Sequence, residues 1–372
     1  DERFARDLFL FASIVNSRRA GGTAKIIVGR QDYDGKPLKP SRILFMCPDD
    51  ELVARVGKLF KENKMRPAVE PPNSGPAWRL LPEWKPGIIG KLSVTSFRDY
   101  LACPFRFYLG HVSGLSEIEY EKFELDAMEF GTICHEALRA LYGCEEKDSA
   151  EISKLLENTA AHVLRRKYGD DLSLPVVIQE YSLMQRLRKA AEVEAEQRKE
   201  GWRSVAVEYR LGDGKGIELD GMLIRGTIDR IDYNPLLRKV RILDYKTSEK
   251  EKKPETEHRG RNGWYDLQLP LYRILFERDD AIKARIPGDF DSISCGYFNL
   301  PKAVSSTGIS EWKDIDKEIK EAEKIALNVI SSIRNNIFWP PAQKVGYELS
   351  DWLFPYDVTD CIDGKFGGRD VK

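Results

Sequence analysis

The chain has 372 residues, 42% of them hydrophobic, and 59 basic side chains nearly balance 60 acidic ones for a net charge of −1. That length and apolar content supply a large core in one big domain or two, and the charge excludes a globally basic nucleic-acid coat, so any contact with phosphate has to be local. No run of about 18 apolar residues is present to cross a membrane, and the opening "DERFARDLFLF" lacks the basic-then-apolar order of a secretion signal, so a soluble, cytoplasmic protein is expected.

The first residue is Asp, inside an expected helix over "RFARDLFLFASIVNSRRA", which suggests a piece of a longer polypeptide. A strand "AKIIVG" and a turn "QDYDGKPLKPSRILF" are expected next. Residues 66–90, crowded with Pro and Gly, suit a linker and place a boundary near residue 90. Beyond it, "LSVTSFRDYLACPFRFYLGHV" opens with Ser and Thr as candidate helix caps and continues with aromatics at helical spacing. Helices are expected at about 126–143, 150–168 and 176–200, followed by the strands "RSVAVEYRL", "IELDGMLIRGTIDRID" and "KVRILDYKT". The charged run "SEKEKKPETEHRGRNG" has the composition of a mobile loop. A helix "WYDLQLPLYRILFER", a strand "SISCGYFNL" and a long helix "WKDIDKEIKEAEKIALNVISSIRNNI" complete the pattern. Strands between groups of helices predict an α/β or α+β domain around one mixed sheet.

The hairpin "GTIDRIDYNPLLRKVRILDYKTS" carries the main chemical signal. If its arms fold about Leu236 and Leu237, Asp229 and Asp244 lie opposite each other, about 5 Å apart at Cβ. Alternation puts Val240, Ile242, Asp244 and Lys246 on one face, apolar at its start and charged at its end. Clustered charges need compensation. Magnesium or manganese would supply it, with Lys246 orienting or deprotonating a water or offsetting phosphate charge. The competing reading is a cross-strand ion pair of Asp229 with Lys246. Asp232 has the opposite parity and is expected to be a solvated or structural carboxylate.

His135 shares a helical face with Met128, Gly131, Leu138 and Tyr142; it is a core histidine on that pattern, or a neutral nitrogen ligand. Glu208 lies on the strand before the hairpin, as a cluster member or a plain strand glutamate. Gln268 and Tyr272, four apart, project together from one helix, holding a nucleotide or the lysine, or forming a polar stripe. His258, Arg259 and Arg261 make a basic run suited to phosphate, or a solvated linker. Phe97, Phe105, Phe107 and Tyr108 are core aromatics or base-stacking ones. The cysteines, Cys47, Cys103, Cys134, Cys144, Cys295 and Cys361, include no C-x-x-C pair, so reduced thiols are expected.

Taken together, "GTICHEAL", "VEY", "GTIDRID", "LDYKT" and "QLPLY" resemble, in order and approximate spacing, the PD-(D/E)XK nucleases of the RecB and AddB type. The resemblance implies a restriction-endonuclease-like core, a central mixed sheet flanked by helices. It implies His135, Asp229 and Asp244 as metal ligands, Lys246 as the catalytic lysine, Gln268 and Tyr272 as the Q-x-x-x-Y motif, and Glu208 as an acidic residue near the metal. Ile228 stands where the superfamily name has proline. "SFRDYLACPFRFYLGHVSGL" resembles an entry motif whose cysteine often begins a four-cysteine iron-sulfur site; beyond Cys103 only Cys361 is suitably placed, and no cluster is expected. The N-terminal part resembles the end of a helicase-like region, implying a helicase-like remnant and linker over 1–90 and a nuclease domain over 91–372. The implied activity is Mg2+- or Mn2+-dependent DNA cleavage, as an exonuclease processing double-strand breaks with an ATP-driven helicase partner. Two alternatives are a DNA-end-binding scaffold with a silent site and a stand-alone exonuclease like those of CRISPR adaptation.

Overall fold

The computed structural model describes residues 2–29, 36–60, 89–116, 124–261 and 263–338, with two-residue strands at Lys365–Phe366 and Arg369–Asp370. Most of the expected linker, residues 66–88, and Cys361 lie outside the described residues. The chain divides into two compact units, Asp1–Ser74 and Gly75–Lys372. In the first, helix α1 (Glu2–Asn16) is as expected, and helix α2 (Asp49–Phe60) opens on Asp49, Asp50 and Glu51, whose charges suit a helix N-terminus. "AKIIVG" forms no strand. Apolar β-branched residues make a strand only where a neighbour completes the ladder.

The second unit runs in the order β1 (Lys91–Ser93), α3 (Ser96–Ala102), α4 (Pro104–Phe107), α5 (Ala127–Arg139), α6 (Ser149–Tyr168), α7 (Leu174–Lys199), β2 (Arg203–Arg210), β3 (Ile217–Leu219), β4 (Met222–Arg225), β5 (Thr227–Asn234) and β6 (Lys239–Lys246). It continues with α8 (Pro254–His258), β7 (Arg259–Gly260), β8 (Gly263–Trp264), α9 (Gln268–Glu277), α10 (Asp280–Lys283), β9 (Ser292–Asn299), β10 (Gly308–Glu311) and α11 (Ile315–Arg334). Side chains set several of these boundaries. Asp126 and Glu129 form a reciprocal capping box at the start of α5, and Asp148 accepts the N–H groups of Ala150 and Glu151 at the start of α6.

The main sheet has five strands in the order β10-β9-β6-β5-β2. β6 and β9 are parallel and the other pairs antiparallel, so the sheet is mixed. Alternation along β5 and β6 divides their side chains between two cores. Ile231, Tyr233, Val240 and Ile242 pack with α9, α11 and the aromatics of α3 and α4, while Tyr245 packs with α5, α6 and α7. Helices thus cover both faces, the architecture expected from the pattern. The hairpin register also matches expectation: Arg230 pairs with Leu243 and Asn234 with Lys239, folding about Leu236 and Leu237.

Three differences stand out. β3 and β4 leave the main sheet and join β1 in a small sheet, order β1-β4-β3. The charged run after β6 is structured, forming α8 and the β7–β8 ribbon, because His258 is fully buried and stacks on Trp312 at 5.1 Å. Accordingly α9 begins at Gln268, and Trp264 belongs to β8. Among the described residues no helix is long and apolar enough to cross a membrane.

Candidate active site

The two strands of the hairpin separate just where the acidic residues sit. Pairing of β5 with β6 ends at Arg230 and Leu243, and one step on, Asp229 Oδ2 accepts the Tyr245 N–H at 2.8 Å. A side chain thus completes the ladder and fixes the carboxylate. Across from it, Asp244 is 4% exposed. Its Oδ1 accepts from Gln268 Nε2 at 2.7 Å, and its Oδ2 lies 2.6 Å from Lys246 Nζ. Lys246 Nζ in turn sits over the Tyr297 ring at 4.9 Å, and the parallel register of β6 with β9 places Tyr297 beside Asp244.

Two further elements bring ligating atoms to Asp229. On β2, Glu208 lies between the pairs Val207–Arg230 and Tyr209–Ile228, opposite Asp229. Its φ of 46° is left-handed, a strained setting for a glutamate of the kind that persists where surrounding contacts hold it. From α5, His135 Nδ1 stands 3.6 Å from Asp229 Oδ1 and 3.8 Å from Glu208 Oε1. Gly131, one turn earlier, allows that approach: a Cβ there would meet Thr247 Oγ1 at 3.2 Å. The donor atoms of His135, Glu208 and Asp229 all fall within 4.8 Å of one another.

The electrostatics describe a site short of positive charge. Burial, reinforced by the Asp244 charge, pushes Asp229 up to about 7. Burial works against protonation of His135, but the neighbouring Glu208 carboxylate and the charges of Asp229 and Asp244 outweigh it and raise the imidazole. Lys246 is likewise raised, burial being outweighed by Asp244, so it stands as an ammonium. Two carboxylates and an imidazole nitrogen this close repel one another unless a proton or a cation is shared. Their oxygen and nitrogen donors fit a hard to borderline divalent ion, magnesium or manganese.

Not every candidate residue lies where the pattern alone suggests. His135, Glu208, Asp229, Asp244, Lys246 and Gln268 converge, but Asp244 has both oxygens turned to Gln268 and Lys246, and the group closest to His135 contains Glu208 instead. Lys246 pairs with Asp244, and not with Asp229 across the strands. Tyr272 is buried and donates its hydroxyl to Thr227 O at 2.6 Å, tying α9 to β5. Arg259 is held by Glu318 at 3.3 Å and Glu321 at 2.9 Å, whereas Arg261 is exposed. His258 is no part of a phosphate-facing run: its Nε2 lies 2.8 Å from the Tyr297 hydroxyl, and burial lowers its basicity. Phe97, Phe105, Phe107 and Tyr108 are core residues. Tyr245 and Tyr297 were not singled out from the sequence; strand alternation alone marks them as apolar filling.

The Asp229 shift has a measurable consequence. Its carboxyl titrates near 3.8 in an unfolded chain and near about 7 here. The stability it contributes is therefore complete below 3.8 and lost as the pH rises through about 7, and the raised His135 acts in the same direction. The metal-free protein is expected to melt several degrees lower at pH 8 than at pH 5, and Asp229→Asn to flatten that slope in thermal melts with chelator. An unchanged slope in the variant would contradict the assignment.

Residues 91–345 match the sequence profile of the PD-(D/E)XK nuclease superfamily. The chain is also similar to an ATP-dependent helicase/deoxyribonuclease subunit of Moorella thermoacetica, 26% identical over 290 residues. That alignment takes in 70% of this chain and 23% of the relative, so the chain spans less than a quarter of the relative's length.

Proposed function

The chain belongs to the PD-(D/E)XK nuclease superfamily, and from that premise we propose that it hydrolyses DNA phosphodiester bonds with Mg2+ or Mn2+. The observation that carries the proposal is the grouping of His135, Glu208 and Asp229 within 4.8 Å, with the Asp244–Lys246 pair alongside. His135, Glu208 and Asp229 would hold the cation, with Asp244 as the neighbouring carboxylate. Bound there, the cation would supply an activated water and charge stabilisation at the scissile phosphate. Lys246, held protonated by Asp244, positions the attacking water and offsets charge on the phosphate as it builds; as an ammonium it is not the base. Gln268 holds Asp244 by one oxygen and so fixes the direction of the other.

The relative's name pairs a deoxyribonuclease with an ATP-dependent helicase, and that supports our further reading of the setting: exonucleolytic processing of DNA ends in repair, in the cytoplasm, beside an ATP-driven helicase. Residues 1–90 would be the end of the helicase-like region and 91–372 the nuclease domain. Arg261, and Arg259 if released from Glu318 and Glu321, would contact DNA, as would Gln268 beside Asp244, with Tyr272 holding α9 in place through Thr227 O.

The test is cleavage of linear single- and double-stranded DNA with Mn2+ and with chelator. Metal-dependent cleavage is expected, with Lys246→Ala slowing turnover roughly a hundred- to a thousandfold at unchanged metal affinity. DNA binding without cleavage by the unmodified protein would favour a silent scaffold instead.

A further inference from the structure

A cleft of about 550 Å³ opens beside the carboxylates, and Asp229, Gln268 and Tyr272 are among the residues that line it. It follows the seam between the two sheets. Ser93 pairs with Arg225 in the small sheet, Arg210 pairs with Thr227 in the large one, and the chain passes from one to the other through Gly226. The seam is tight: a Cβ on Gly226 would meet Val94 at 2.9 Å and Tyr272 at 3.1 Å. The Val94 N–H donates to Arg225 O at 2.8 Å and the Leu211 N–H to Gly226 O at 3.0 Å. Arg210 and Arg225 are therefore carried by paired backbone at the cleft, on the Asp229 side of the cluster.

Both arginines are exposed, and neither guanidinium has an ion pair or hydrogen bond among the described residues. This is unusual in their surroundings, where Arg285 is paired with Asp213 and Arg334 with Asp220. Ser93 Oγ and Thr95 Oγ1, 3.0 Å apart, add two small hydroxyls to the same lining. A second cleft of about 580 Å³ on the His135 side carries Arg139 but also Glu136 and Glu208. Of the two, only the first combines an excess of free cations with hydroxyl donors.

The geometry points to this cleft as a phosphodiester-binding subsite. Arg210 and Arg225 take phosphates of the DNA strand adjoining the scissile one, and Ser93 and Thr95 supply hydrogen bonds. Guanidinium donors match phosphate oxygens in a two-pronged geometry that a lysine cannot reproduce. A strand anchored there would lead its next phosphate past Asp229. The inference rests on the nuclease reading for the identity of the ligand, but it makes its own claim about where the strand lies.

The experiment measures binding of a fluorescent single-stranded DNA oligonucleotide by anisotropy across a salt series in chelator, together with cleavage in Mn2+. Arg210→Ala and Arg225→Ala should each weaken binding roughly tenfold and lower the slope of log affinity against log salt by about 0.7. Arg→Lys at either position should recover the slope but only part of the affinity. Lys320→Ala, at an exposed lysine on α11, should change neither, and melting temperatures should hold throughout. If the double alanine variant binds like the unmodified protein, with the same salt slope, while that protein cleaves DNA, the subsite is overturned and the nuclease stands. If the arginine variants lose binding but the unmodified protein never cleaves, the subsite stands and the nuclease reading falls.

Discussion

Exchanging Asp244 for alanine is expected to lower metal-dependent DNA cleavage by a factor of about a thousand or more, with folding and DNA binding retained. Asp244 is nearly buried, and its two oxygens serve Gln268 and Lys246. Without the carboxylate, Gln268 loses its acceptor and the Lys246 ammonium loses the charge that overcomes its burial, so its proton affinity falls. Asp244→Asn keeps the shape and an acceptor for Gln268 but removes the charge, and should be nearly as inactive. Initial rates with Mn2+, set beside melting curves, separate this outcome from misfolding. An asparagine variant with near-normal turnover would remove Asp244 from the chemistry.

The largest effect on stability is expected on the opposite face of the same strands. Asp232 is fully buried, 2.6 Å from Arg230 Nε and 3.0 Å from Arg241. Arg230 also reaches Glu194 at 2.7 Å, Glu194 holds Arg198 at 2.6 Å, and the Arg241 guanidinium lies 3.9 Å over the Trp202 ring. Burial opposes the charge on Glu194, yet Arg230 outweighs it and brings the carboxyl down to about 2. Removing Asp232 leaves the buried Arg230 with Glu194 alone, and leaves Arg241 with Gln197 at 2.8 Å and the more distant Glu311 at 3.5 Å; so Asp232→Ala should cost roughly 3–5 kcal/mol in urea unfolding. Cleavage per folded molecule should change little, because Asp232 points away from Asp229. A loss under about 1 kcal/mol, as at a surface site, would show that the network is dispensable.

That contrast also marks what the sequence disclosed. Parity along a strand was enough to turn Asp232 away from Asp229, and the loop center at Leu236 and Leu237 was enough for the register, because a one-residue slip would expose Val240 and Ile242. Periodicity could not bring His135 to the cluster. Its helix face includes Leu138, which is buried, and Met128, which is 77% exposed, so the face alone reads as ambiguous; only the ordered motifs joined the histidine to the hairpin. The approach of Glu208 depends on a left-handed backbone at a non-glycine position, for which no pattern is diagnostic. The α8 segment was illegible for a different reason: charged composition implied solvent, whereas Pro254 and His258 are buried. Among the described residues no neighbouring strand completes a ladder beside "AKIIVG", and the presence of such a neighbour is a tertiary fact. Arg210 and Arg225 went unnoticed because their significance lies in the absence of partners, which only packing reveals.

The central claim is that His135, Glu208 and Asp229 form a divalent-metal site, and calorimetric titration of the metal-free protein with Mn2+ tests it most directly. Saturable binding is expected in the unmodified protein, abolished in Asp229→Ala and weakened at least roughly tenfold in His135→Ala and Glu208→Ala. Equal Mn2+ binding by the unmodified protein and Asp229→Ala would contradict it.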